Sequence, residues 1–404
     1  MVHISVIAFL AAYPGIYTLL VNSPLSAEMT ALLPRVETMI GVLYFGLFAM
    51  SFDFISGYTG YLSFGHAAFY GTGAYLVVLA ANDTLPFLGP ETPFMLLLVL
   101  GGLLALGLAL LIGAVSFRLT GVYFAMITLG FSQVLYVFVR DWDFVGSNPR
   151  DGVAVTGRTT GFEIGVPGVD ALNLAIGQLS GDEIEGLFGF VSLSTSEVSY
   201  YMIGLVVLGC YFAMQRIIHS PFGRVMVAIR ENEERAEAIG YHTFRYKLGA
   251  FAISAFFAAV AGGLFAGFRR SATPENAFFF LVAGDALLAS IIGGFGTLAG
   301  PLYGRLFDET VREFLSKAGG GGGLLPYLQS HLGESTLQTV VYNGLTVGEA
   351  IDTFLNGHAA LYIGLLFVLF VLYVPNGMVG TVRDRLGGPV ADRLPAVVRR
   401  RFDR

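Results

Sequence analysis

The sequence predicts an all-α polytopic membrane protein of about ten transmembrane helices or half-helices, with both termini cytoplasmic. Three observations carry that expectation. Hydrophobic residues make up 55% of the 404 positions, and the mean hydropathy is +0.69. Charged residues account for only 13%, well under the ~25% of ordinary soluble domains. Apolar stretches approaching the roughly 20 residues that cross a bilayer recur from end to end, and the polar segments between them alternate in charge. The 53 glycines suit membrane helices, whose backbones approach one another through small residues.

The first apolar stretch, residues 3–21, lacks the basic start and cleavage site of a signal peptide and is read as a span. Further spans are expected at 36–55, 62–80, 93–115, 121–139, 198–216 and 247–268. An apolar pair follows at 278–293 and 297–307, and a last span at 359–375. Orientation follows from residues 217–246, a segment whose basic residues Arg224, Arg230, Arg235 and Arg245, with Lys247 just after it, stand between two strongly apolar stretches. Basic loops face the cytoplasm. The segment 140–197 then lies outside, and it is acid-rich, with Asp141, Asp143, Asp151 and Glu163 among its acids. Residues 1–380 are expected to form one membrane domain, and 381–404 a basic tail that belongs inside. The acidic stretch 308–357 belongs outside, which holds only if 278–307 crosses twice, bending at Gly293, Gly294 and Gly296. Its limbs of 16 and 11 residues are short, so a broken or inclined hairpin shielded by protein is expected. Phe307, Val311, Phe314 and Leu315 share one helical face, so an extension or surface helix is expected at the start of 308–357, with a flexible break at Gly319–Gly323.

The charged segment 217–246 reads as a helical hairpin. Ser220 and Pro221 make an N-cap followed by proline at the first helical position. Asn232 precedes Glu233 and Glu234, acids suited to a helix N-terminus, and Gly240 stands where a glycine stops a helix. A rigid hairpin between two spans is a lever.

In the glycine-rich stretch Gly57–Tyr75, Gly57 and Gly60 are expected to interrupt a helix and Ser63 to cap a new one from Phe64. Interrupted helices near the midplane line solute paths in transporters. The same glycines would also serve close packing, and both readings stand. Asp53 and His66 are ionisable groups at or near membrane depth, functional candidates by default. The plain alternatives are a boundary position for Asp53 and a hydrogen-bonded packing role for His66. Asp285 either lines a path or caps a helix.

Catalytic chemistries find no support. The chain has no GxxxxGK[ST] to cradle ATP phosphates, no HExxH and no CxxC. The single Cys210 and six scattered histidines make no metal site. A net charge of −6 argues against nucleic acid. An enzyme is not expected.

Four blocks together resemble one known family, the membrane-spanning permease subunits of ABC importers for branched-chain amino acids, over residues 42–380. They are GYTGYLSFGHAAFYGTGAY, the segment from Gly121 to Val153, the charged segment running on into GAFAISAFFAAVAGGLFA, and the pair GGFGTLAGPLYG and LFVLYVPNGMVG. Two positions depart from the pattern: Asp53 stands where the family commonly has asparagine, and Tyr61 where glutamine is frequent. The resemblance implies a cell-membrane subunit that binds no cofactor, with ATP used by separate ATP-binding ABC subunits. It also implies a second homologous permease chain and an extracytoplasmic solute-binding protein. Glu237, Ala238 and Gly240 fall in the coupling element that docks on the ATPase, with Arg224 and Arg230 as contacts nearby. A small zwitterion needs a few polar groups in an otherwise apolar path. Asp53, Ser63, His66, Tyr123, Thr128 and Ser132 are the candidates.

Permease subunits for urea or short amides are closely similar and stand as the rival substrate class. An ion-coupled secondary transporter would need Asp53, His66 or Asp285 as coupling groups, and a passive channel would need no hairpin.

Overall fold

The computed structural model describes residues 2–21, 33–146, 148–156, 163–166, 169–173, 184–187, 191–316, 332–342, 345–355, 359–374 and 377–381. Its membrane-spanning core consists of α1 (Val2–Val21), α2 (Val36–Thr59), α3 (His66–Ala81), α4 (Phe94–Ser116), α5 (Val122–Arg140) and α6 (Thr195–Ile218) in the first part of the chain. The charged hairpin follows as α7 (Pro221–Glu231) and α8 (Glu233–Ala238). The second part contains α9 (Thr243–Arg269), the short α10 (Pro274–Ala277), α11 (Phe280–Gly293), α12 (Gly300–Ser316), α13 (Glu334–Leu337), α14 (Val347–Leu355) and α15 (Ala359–Tyr373). Among the described residues seven helices are long and apolar enough to cross a membrane, and α3 and Leu10–Leu20 are shorter apolar ones. Each expected span overlaps a helix, although α3 and α12 start later than expected, at His66 and Gly300.

Contacts between helix ends sort the bundle into two poles. At one pole the end of α2, the α4–α5 turn, the start of α9 and the α11–α12 turn gather around α7 and α8. At the other, Asn82 after α3 bonds Ala154 and Thr156, Tyr136 of α5 bonds Glu275, and Thr18 of α1 bonds Glu197 at the start of α6. The backbone of Arg35 there donates to Glu313 near the end of α12. The ends of successive helices thus alternate between the two poles. Within 140–197 the far pole carries short antiparallel ribbons rather than bare loop. Strand β1 (Val153–Ala154) pairs across the chain with Ser271–Ala272, and Glu163–Val166 pairs with Val169–Asn173.

Helix α2 is buried on all sides along nearly its whole length, as expected of a helix apolar all round. Helix α9 packs on α2, α3 and α4. Its crossing with α3 is made at backbone contact: a Cβ on Gly262 would fall inside the Tyr70 carbonyl, and one on Gly73 inside that of Ala259. Small residues let membrane helices associate by van der Waals packing where no hydrophobic force separates helix from lipid.

Three expectations change. Gly57 does not interrupt a helix; it lies inside α2, which ends at Thr59 with Gly60 in the left-handed region at φ 79°. Ser63 does not cap the next helix, which starts at His66 with Gly65 before it. The glycine-rich stretch begins at the hairpin's pole, not at mid-bundle. The second limb of the 278–307 pair runs on to Ser316 as α12 and holds Phe307, Val311, Phe314 and Leu315, the face whose spacing predicts a helical extension. Arg305 pairs along it with Asp308 (2.9 Å) and with Glu309. The turn between the limbs does fall at Gly293–Gly296, with Gly294 and Gly296 at positive φ. The break at Gly319–Gly323 and nearly all of the basic tail lie outside the described residues.

Gly262→Leu should cost about 1–3 kcal/mol or more through overpacking and lower the melting temperature in detergent. Gly107→Leu, where nothing lies within 4 Å of the added carbon, should leave it nearly unchanged. Equal losses in both would contradict the α3–α9 contact.

Candidate functional site

The charged hairpin is built as its sequence dictates. The Ser220 side chain accepts from the Gly223 amide (3.5 Å) with Pro221 at the first helical position, and the Asn232 side chain accepts from the Arg235 amide (2.8 Å) at the start of α8. Gly240 turns the chain at φ 96° with open space around it, so its part is conformational. Thr243 at the start of α9 donates to Glu237 (2.6 Å) and closes the turn. Val225 and Ile229 of α7 and Ala236 of α8 bury a small apolar seam against Tyr246.

From this hairpin two pins enter the bundle. The first is Arg230 at the end of α7. Its Nη1 donates to the carbonyl of Gly57 (2.5 Å), one of the last-turn carbonyls of α2 left without a helical partner. The same guanidinium lies against Gly296, whose amide donates to Asp53 Oδ1 (2.9 Å). Asp53 is fully buried and stands one turn before Gly57 on α2, where any Cβ at 57 would collide with its carboxylate. Its other oxygen has no partner among the described residues. Arg230, α2 and the α11–α12 turn thus meet at one point.

The second pin is Glu233 at the start of α8. It pairs with Lys247 of α9, whose side chain is only 5% exposed. Glu233 also accepts from the Tyr61 hydroxyl (2.6 Å), which in turn accepts from Lys247 (3.0 Å). The Lys247 ammonium sits 4.8 Å from the Tyr61 ring centroid and 5.7 Å from that of Phe117, within cation–π range. The Tyr61 ring packs edge-on against Phe117 and Phe124 at the α4–α5 turn. Burial works against the Glu233 carboxylate, but hydrogen bonds from Lys247 and Tyr61 outweigh it and hold its pKa below the ordinary value. Burial, and then the Glu233 carboxylate, raise that of the Tyr61 phenol. Glu233 therefore stays a carboxylate and Tyr61 a neutral phenol near neutrality.

The hairpin's opposite side is open. Arg224, Glu234, Arg235, Glu237, Ala238 and Gly240 are exposed. So are the apolar side chains of Ile239 (69%), Tyr241 and Phe244. Apolar groups rimmed by charge mark an interaction surface.

Of the path candidates, Thr128 lies against Gly65 beside His66, while Asp53, Ser132 and Tyr123 have separate surroundings. Asp53 belongs to the first pin. His66 is fully buried, with Nε2 3.1 Å from Ser254 Oγ and its ring edge-on to Phe52, Phe69 and Phe251. Thr128 and Ser132 bond the carbonyls of Ala125 (3.0 Å) and Phe278 (3.1 Å). Ser63 is buried, its hydroxyl without a partner among the described residues, and Tyr123 is 69% exposed on α5. A cavity of about 240 Å³ between α1, α2, α6 and α12 is lined by none of them. Sequence reasoning missed Glu233, Lys247 and Tyr61 as a unit. A signal existed, since Lys247 is one of two lysines in the chain and immediately precedes an apolar span.

Comparison with known proteins agrees with this architecture. The family model for branched-chain amino acid transport system permease components matches residues 35–321. The high-affinity branched-chain amino acid transport system permease protein LivM of Escherichia coli is 29% identical over 274 residues, 67% of this chain and 60% of that protein. The chain therefore matches less than two thirds of that relative's length. The probable LivM of Methanocaldococcus jannaschii is 26% identical over 285 residues, 68% of this chain and 66% of its own. The ribose import permease protein RbsC of Haemophilus influenzae is 27% identical over 133 residues, 32% and 41% of the two chains. No solved structure matches. This multi-pass membrane protein belongs to the family of branched-chain amino acid transport system permease components.

Proposed function

We propose that this chain is the permease subunit of an ATP-driven ABC importer and forms the translocation path for branched-chain amino acids. The α7–α8 hairpin receives the movement of separate ATP-hydrolysing subunits on its open side and passes it to the bundle through its two pins. The observation that carries this reading is the pinning itself. A solvated loop has no need of a buried lysine locked to its second helix, nor of an arginine bonding the end of the central helix. The hairpin lies at the cytoplasmic pole, and both termini lie on that side. ATP is used in the partner subunits, and this chain needs no cofactor of its own. A second homologous permease chain completes the membrane unit, and a solute-binding protein delivers cargo at the acidic 140–197 face. The substrate class rests on the family match and on the similarity to LivM.

Purification from native membranes in mild detergent should bring down stoichiometric ATP-binding subunits and a second permease. Recovery of the chain alone, still moving solute in liposomes without ATP, would overturn the reading.

Glu233→Gln leaves the Lys247 ammonium buried without its counter-charge, a change that costs several kcal/mol in a dry site and less here because Glu233 is 28% exposed. Uptake should fall about tenfold or more, the equivalent of ~1.4 kcal/mol, and adding Lys247→Met should recover part of it, as double-mutant coupling requires. The pH dependence has a definite sign. A carboxylate with a lowered pKa contributes stability that is complete above its ordinary value of 4.5 and lost as pH falls through the lower, folded value. The triad should therefore hold unchanged at neutral pH and open only in acid below 4.5.

Asp53→Asn should retain uptake, because an amide oxygen can accept from Gly296 as the carboxylate does. Loss of uptake together with loss of proton dependence would instead favour an ion-coupled transporter.

A further inference from the structure

A set of charges inside the membrane region takes no part in either pin. Asp285 of α11 stands about 12 Å along its helix from Gly293, and Asp308 about 12 Å along α12 from Gly300, at ~1.5 Å per residue. The two helices start from the same glycine turn, so both residues lie at similar depth, well inside a hydrocarbon slab of roughly 30 Å. Arg305, Glu309 and Arg312 surround that level. Arg305 pairs with Asp308 and Glu309 and stacks over the Phe45 ring of α2 at 4.3 Å, while Arg312 reaches Asp308 at 3.6 Å. All four charged groups lie close enough to Asp285 to act on it electrostatically. Asp285 itself is exposed, next to the exposed Leu281 one turn away, and no hydrogen bond or ion pair engages it among the described residues.

A carboxylate at that depth does not face lipid. Ionisable groups within membrane helices face a bundle interior or a water-filled cavity, and mark solute pathways. The cluster holds three acids against two arginines, and both arginines already have acidic partners. What remains open is one carboxylate at the edge of a fixed charge network. That is a partner for an ammonium group.

We propose that the Asp285 face of α11 and α12 lines the translocation path, with Asp285 receiving the ammonium group of a passing amino acid. The proposal rests on the importer reading for its substrate. The aliphatic side chain of such a solute would lie along neighbouring apolar surface, of which Leu281 is part.

The test uses the assembled complex in native membranes, with Cys210→Ser as background. Asp285→Cys should react with a charged, water-soluble methanethiosulfonate, whereas Leu365→Cys on the exposed face of α15 should react only with a lipid-soluble maleimide. Asp285→Asn should raise the KM for leucine uptake about tenfold, the signature of a lost binding contact. Failure of the Asp285→Cys variant to react with the water-soluble reagent would overturn the proposal, whether lipid or a protein partner covers the position. An unchanged KM would overturn the ammonium role. Labelling depends on water at position 285 and not on ATP. A reactive Asp285→Cys variant that purifies with no ATPase partner would therefore sink the importer reading and leave the path in place.

Discussion

The ion pair between Lys247 and Glu233 is the constraint on which the arrangement of this chain depends. A lysine nearly excluded from water at the start of a membrane helix requires a counter-charge within reach, and the hairpin supplies it. That requirement fixes where α8 sits, and α8 fixes α7 through their shared apolar seam. Arg230 is then delivered to the end of α2. Tyr61 extends the same constraint to the α4–α5 turn, because its hydroxyl serves the ion pair while its ring packs on Phe117 and Phe124. The ends of α2 and α9 and the α4–α5 and α11–α12 turns are thereby referred to one charged hairpin.

The two pins differ in kind. The Glu233 triad is mostly buried and combines charge, hydrogen bonds and a cation–π contact, so it holds the hairpin firmly against α9. The Arg230 contact is to a backbone carbonyl and to a glycine turn at positive φ, both of which can shift without breaking a side-chain pair. One pin is suited to fix the lever and the other to transmit its displacement. The receiving elements fit that division. Helix α2 runs through the centre of the bundle, and the α11–α12 hairpin leads directly to the charged residues at mid-depth.

Much of this is legible in the sequence. The apolar stretches that form the helices follow from hydropathy, and seven of those helices are long and apolar enough to cross a membrane among the described residues. The caps at Ser220 and Asn232 and the stop at Gly240 follow from local chemistry, which acts within a few residues and needs no tertiary knowledge. Part of what stays hidden depends on contacts across more than a hundred positions. Tyr61 and Glu233 are joined only when the end of α2 and the start of α8 meet, so no spacing rule finds them. Gly57 reads as a break because a glycine that makes room for Asp53 one turn earlier looks, in sequence, the same as one that ends a helix.

Attachment of the hairpin to the bundle is tested by a pair of distances in the assembled complex, measured between spin labels with and without ATP. With Cys210 replaced by serine, labels go at Val227 on the exposed side of α7 and at Phe295 in the α11–α12 turn; a third, at Asp83 on the far pole, serves as reference. If the hairpin is pinned to the bundle, the Val227–Phe295 distance stays constant while both positions move relative to Asp83. A hairpin that swings away from Phe295 while Phe295 keeps its distance from Asp83 would show that the lever is not attached, and the account would fail.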